Sequence, residues 1–196
     1  MQSTNFKVLA VSGSLRQSSL NRLFLESMKL LKPDDIEFKI QNGLDQLPFF
    51  NPDFEDEPNL EVLSWRKSLK DANFVIFSSP EYAHGVTGVI KNALDWIVSS
   101  GELLGKPISL PNLSPRASIA HSQLSEILIV MGGEIVKCCS PIASLNKPYV
   151  KPCNTAKSLC DIPEINFRIC ELWDQIKNQM MTMSGNEPGL RNKVLP

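Results

Sequence analysis

Short apolar runs alternate with segments of helical period along most of the chain, and that alternation leaves few folds open. The runs FKVLAVS (6–12), IEFKIQ (36–41), NFVIFSS (73–79), ISL (108–110) and EIVKCC (134–139) read as five strands. Between them, apolar stripes recur every three or four residues. Leu20, Leu23, Phe24, Met28 and Leu31 form one stripe, ending near Pro33. Val62, Trp65, Leu69 and Ala72 place a helix over 60–71, and Val89, Ile90, Ala93, Leu94 and Ile97 mark a third. Ala117, Ala120, Leu124, Ile127, Leu128 and Met131 carry a fourth, stopped by Gly132 and Gly133. Pro163 opens a last helix with Ile165, Ile169, Leu172, Trp173, Ile176 and Met180 inside. Strand and helix in strict alternation imply parallel pairing, and right-handed crossovers then favour an α/β fold: a doubly wound five-stranded parallel sheet with helices on both faces. A single domain is expected over residues 1–183, irregular over 140–162, with a flexible tail at 184–196 (SGNEPGLRNKVLP).

Charge and cysteine usage narrow the function classes. A formal charge of −1 leaves no basic footprint for nucleic acid. The five cysteines include no C-x-x-C spacing and have no histidines nearby, so no metal site is assigned and reduced thiols are expected. The N-terminus, MQSTNFKV, lacks the charged-then-apolar layout of a signal peptide, and no apolar run reaches membrane-spanning length. A soluble, cytoplasmic protein is the expectation.

In an open parallel sheet, ligands sit beyond the carboxyl ends of the strands, beside the point where strand order reverses. The loop after the first strand reads GSLRQSSLN (13–21). Ser14, Ser18 and Ser19 offer hydroxyls, Arg16 a charged fork and Asn21 an amide, five donors within eight residues. At a helix start, where backbone N–H groups lack partners, such a set suits a phosphate dianion. Any one of the serines alone reads better as an ordinary N-cap, and Arg16 alone as an exposed arginine; it is the five together that favour phosphate. Neither G-x-G-x-x-G nor G-K-[ST] is present, which favours a single terminal phosphate over a pyrophosphate or triphosphate.

After the third strand comes SPEYAHGVTGVIKNALDW (79–96). Tyr82 and His84 are flat side chains at the ligand end of the sheet, and a planar heterocycle fits along them. Taken singly, Glu81 reads as a solvated loop carboxylate, His84 as a turn residue, and Lys91–Asp95 as a surface pair. In the fourth strand Pro111 cannot donate to a ladder, so the strand is expected to end or bulge there.

GSLRQSSLNR (13–22) and SPEYAHGVTGVIKNALDW (79–96) resemble the two signature segments of the NADPH-dependent FMN reductase-like flavoproteins. LPFFNPDFE (47–55) and GKP (105–107) extend the resemblance, which runs from about Lys7 to Val136. It implies a flavodoxin-like fold and an enzyme that passes electrons from NADPH or NADH through bound FMN to a small-molecule acceptor. That acceptor is free flavin, a quinone, an azo dye or a metal oxyanion. It implies that Ser14, Arg16, Ser18, Ser19 and Asn21 hold the FMN phosphate. Pro80, Glu81, Tyr82, His84 and Gly85 would line the ring, with Ser114 a contact from the third loop. The flavin carries the chemistry, so no catalytic side chain is assigned. A homodimer or homotetramer is also implied, and Trp96, Ile97 and Val98 extend the third helix's apolar surface as an interface or a core helix would. Arg116 remains open between a surface role and a nicotinamide-nucleotide phosphate contact. The chain departs from the family at Ala83, where asparagine is usual, and at Gly85 and Thr87, where serine and proline are common. A flavodoxin-type electron carrier and a non-catalytic flavin-binding or regulatory protein are the alternatives.

Overall fold

A computed structural model of the chain describes residues 6–57, 59–114, 116–141 and 153–185. Five strands, β1 (Phe6–Ser12), β2 (Ile36–Ile40), β3 (Phe74–Ser78), β4 (Pro107–Ser109) and β5 (Glu134–Ile135), pair in the order β2-β1-β3-β4-β5, all parallel. The order reverses between β1 and β3, which is the expected switch point. Central β3 is buried along its whole length, whereas edge strand β2 buries Ile36 and Phe38 and exposes Glu37 and Lys39. That contrast follows from position: a strand covered on both faces needs a continuous apolar run, and a half-covered one needs alternation.

The helices are α1 (Leu20–Leu30), α2 (Leu60–Asp71), α3 (Gly88–Asp95), α4 (Ser118–Val130), α5 (Ala156–Cys160) and α6 (Pro163–Gly185). Helices α1, α5 and α6 close one face over Val8, Ala10, Phe74 and Ile76. Helices α2, α3 and α4 close the other over Leu9, Val11, Val75 and Phe77. Each face holds a buried tryptophan whose indole N–H finds a carbonyl, Trp173 to Met28 at 3.0 Å and Trp65 to Ala93 at 2.8 Å. A tryptophan can be taken out of water at full hydrophobic gain only when that N–H is satisfied. Helix α2 starts where the Asn59 side chain accepts from Val62 N–H at 3.0 Å. Helix α4 stops at Gly132, whose φ of +80° only glycine adopts freely, with Gly133 N–H closing on Leu128 O.

Several expectations shift. The fifth strand is two residues rather than six: after Val136 N–H reaches Ile108 O, the chain turns into a single 3₁₀ turn, Lys137–Cys139. The cause lies next door, because β4 ends before Pro111 and side chains replace the ladder. Ser109 Oγ donates to Cys139 O, and Leu110 N–H donates to Ser140 Oγ. Burial there pushes the Cys139 thiol up to about 12, so it packs as a small apolar group. The region expected to be irregular contains α5, opened by a reciprocal Thr155–Ser158 capping box; residues 142–152 of it lie outside the described residues. Helix α6 continues through Gly185, and the remainder of the expected tail lies outside the described residues. Trp96 and Ile97 are core residues of this chain, leaving only Val98 exposed, so they supply no interface.

Candidate functional site

Helices α1, α3 and α4 are among those that begin at the carboxyl end of the sheet, and how each of these beginnings is satisfied defines the site. The first loop is drawn tight against β3. Gly13 N–H donates to Ser78 O at 2.9 Å, and a Cβ at Gly13 would lie 2.1 Å from Ser79 Oγ and 2.9 Å from Ile90 Cγ1. No residue with a side chain fits there, so the glycine brings the first and second loops into contact. Ser12 Oγ then accepts from Ser14 N–H at 3.3 Å, and Ser14 Oγ accepts from Arg16 N–H at 3.3 Å. These bonds curl the segment ahead of α1.

Ser19 is the residue before α1, yet its hydroxyl makes no capping bond, and the first turn of α1 holds no acidic residue. The ordinary N-cap reading is therefore not what the chain does. Ser14, Ser19 and Asn21 are buried, whereas Arg16 and Ser18 are exposed and joined to each other, Nε to Oγ at 2.8 Å. Asn21 is partly committed, because its amide oxygen accepts from Ser78 Oγ at 2.9 Å. That fixes the amide so that its –NH₂ stays available. A helix start rich in hydroxyl, guanidinium and amide donors and lacking an internal acid has the donor chemistry of a phosphate site.

The second loop turns sharply. Tyr82 and Gly85 exchange backbone bonds, N–H to O at 3.2 and 3.0 Å, around Ala83 and His84 at φ of +50° and +60°. Two consecutive left-handed residues make the primed turn that Asn-Gly adopts most easily, so the departure at Ala83 has a backbone cost. Tyr82 is 56% exposed and the His84 side chain 78% exposed, while Pro80 and Gly85 are half-buried beside them. Glu81 is not the solvated carboxylate that its place in a loop implies. Its side chain is only 10% exposed and bonded at both oxygens. Lys91 and Asp95 form the expected surface pair at 2.5 Å. Thr87 precedes α3 with its hydroxyl buried and unpartnered.

The third loop is shaped like the first. Asn112 Oδ1 accepts from Ser114 N–H at 3.1 Å, and Ser114 Oγ accepts from Arg116 N–H at 3.3 Å. Set side by side, SGSLRQS (12–18) and NLSPRAS (112–118) share a serine at 14 and 114, an arginine at 16 and 116 and a serine at 18 and 118. The Ser114 hydroxyl thus has a local structural partner, and Arg116 is exposed. Three contributors escaped the sequence reading: Ser78, Asn112 and Asn92. Asn92 on α3 clamps the 47–50 segment with both ends of its amide, accepting from Phe50 N–H at 2.8 Å and donating to Pro48 O at 3.0 Å. The N-x-S spacing before a helix was a usable signal for Asn112; nothing local marks Ser78 or Asn92.

A family model described as NADPH-dependent FMN reductase matches residues 6–144. An NAD(P)H-dependent FMN reductase of Pseudomonas aeruginosa is 30% identical over 156 residues, covering 76% of this chain and 78% of that one. An NAD(P)H:quinone oxidoreductase of Solanum tuberosum is 37% identical over 94 residues, 46% of this chain and 48% of its own length. The chain spans about half the length of the first curated relatives it matches. Among solved structures, the flavoenzyme NAD(P)H:(acceptor) oxidoreductase FerB from Paracoccus denitrificans superposes with a TM-score of 0.70 at 24% identity, covering 88% of this chain and 98% of that one. That likeness speaks for the fold.

Proposed function

Because the chain belongs to the NADPH-dependent FMN reductase family, we propose that it is an FMN-dependent NAD(P)H oxidoreductase delivering electrons to a small-molecule acceptor. The acceptor classes are a free flavin, a quinone, an azo dye or a metal oxyanion. The single observation that carries the reading is the start of α1, where Ser19 leaves its helix uncapped and no acid stands in the first turn.

Ser14, Arg16, Ser18, Ser19 and Asn21 would hold the FMN phosphate. Arg16 supplies the full positive charge and the helix start a partial one, while hydroxyls and the Asn21 –NH₂ meet the remaining oxygens. Pro80, Glu81, Tyr82, His84 and Gly85 would line the ring, Glu81 through its backbone, since its carboxylate is committed elsewhere. Ser114 would add a contact from the third loop. FMN, when bound, supplies the hydride and single-electron chemistry. The chain's part is to fix the phosphate, present N–H donors to the ring edge and leave the face beside exposed Tyr82 open to NADPH or NADH.

Among the described residues no helix is long and apolar enough to cross a membrane; we place the protein in the cytoplasm. We also assign it a homodimer or homotetramer through α3 and α4. Exposed Ile119, Ile129 and Val130 on α4, and an open groove between Val86 and Ile127, support that face.

The test is the visible spectrum of purified protein, followed by anaerobic addition of NADPH. Oxidised-flavin bands that bleach rapidly are expected, and Arg16→Ala should strip FMN from protein that remains folded. Protein that stays colourless with FMN added would favour a regulatory role. Bleaching only through a partner would favour an electron carrier.

A further inference from the structure

The Glu81 carboxylate joins two elements that the chain separates by nearly forty residues. Oε2 accepts from Ala120 N–H at 2.9 Å, and Oε1 lies 3.1 Å from His84 Nδ1. Ala120 is the third residue of α4, a helix with no side-chain cap from Ala117 and no acid in its own first turn. Glu81 therefore supplies, from another loop, the acceptor and negative charge that a helix start favours.

The likeness between the first and third loops gives this bond its meaning. Both curl through the same pair of side-chain-to-backbone bonds into a helix. The first turn of α1 holds no acid, whereas the third residue of α4 donates its N–H to the Glu81 carboxylate. The two loops share these turn bonds but not their spacing to the helix, since α1 opens six residues after Ser14 and α4 four residues after Ser114; only α4 has a carboxylate bonded to its first turn. A phosphate at α4 would have to displace Glu81, which argues against Arg116 as a phosphate contact built on that helix.

We propose that Glu81 is a positioning residue: its carboxylate closes the start of α4 and so fixes the Tyr82–Gly85 turn that would meet the ring. This rests on the FMN reading above. The turn needs an outside anchor because Ala83 and His84 hold left-handed conformations that neither residue favours. Glu81 provides the anchor at both ends, gripping His84 within the turn and Ala120 outside it.

The test compares wild type, Glu81→Ala, Glu81→Gln and Arg16→Ala as full-length proteins. Three quantities are read: amide exchange at Ala120 without FMN, the FMN Kd, and the spectrum and midpoint potential of bound flavin. Glu81→Ala should speed Ala120 exchange about tenfold, raise the Kd by a similar factor and shift the flavin spectrum and potential. Glu81→Gln, which keeps an acceptor, should recover at least part of all three. Arg16→Ala should weaken FMN while leaving Ala120 exchange unchanged. Unchanged Ala120 exchange in Glu81→Ala would overturn the clasp. Faster exchange with Kd, spectrum and potential unaltered would reduce Glu81 to a structural residue and overturn the positioning role. Wild-type protein that takes up no FMN would sink the flavin reading and the positioning role with it; intact Ala120 protection distinguishes that result from loss of the clasp.

Discussion

Ser78, the last residue of β3, donates its hydroxyl to the amide oxygen of Asn21 on α1 at 2.9 Å, and both residues are buried. The helix that follows the first strand is thereby fastened to the end of the third, across the switch point.

Breaking that bond from one side strands a buried polar group. Asn21→Ala and Ser78→Ala should each destabilise the protein by about 1–3 kcal/mol. The double variant should cost less than the two singles added. Chemical unfolding of all four proteins gives the coupling energy, and strict additivity would show the bond to be energetically idle.

Gly13→Ala should be worse than its small volume suggests. The new methyl would meet the Ser79 side chain and Ile90 Cγ1 at distances no carbon tolerates. A loss of about 1–3 kcal/mol is expected, partly recovered by Ser79→Gly, which removes the two nearest clashes. Thermal unfolding of the single and double variants checks both statements.

The left-handed pair offers a gain. Ala83→Asn places a residue that tolerates φ near +50° at a position where alanine is held there. A stabilisation of about 0.5–1 kcal/mol, or roughly 1–4 °C in Tm, is expected. A lower Tm would mean that the turn is held by its surroundings, with no strain left to relieve.

Acid stability has a named contributor. Lys177 on α6 pairs with Asp35, just before β2, at 2.6 Å, and its hydrogen bond holds the Asp35 carboxyl below the usual range. A carboxylate depressed in the folded state stabilises above its unfolded pKa, about 3.9, and that contribution is lost as pH falls through the lower folded value. Lys177→Met should therefore reduce stability at neutral pH and flatten its fall below about pH 4. The pair is about one-third exposed on each side, which keeps the effect small. Urea titrations at a series of pH values would show it.

The sequence carried the architecture well because burial on both sheet faces writes itself into local pattern. β3 is apolar up to its last residue and β2 alternates, so the order of elements and the ends of α2 were legible. β5 was not, since its length depends on the neighbouring strand stopping ahead of Pro111 and on Ser109 and Ser140 replacing the ladder. At the site, the donor-rich loop at 13–21 announced itself by composition. Glu81 was misjudged for the opposite reason. Its partner at Ala120 is a backbone amide, which no residue type reveals, so a carboxylate in a loop looked solvated.

The brevity of β5 has a consequence for self-association. A sheet margin two residues long presents almost nothing for a foreign chain to zip onto. The opposite margin, β2, sets Glu37 and Lys39 facing outward as gatekeepers. Among the described residues, growth by strand addition is discouraged at both borders, which leaves the helical flanks as the broader faces.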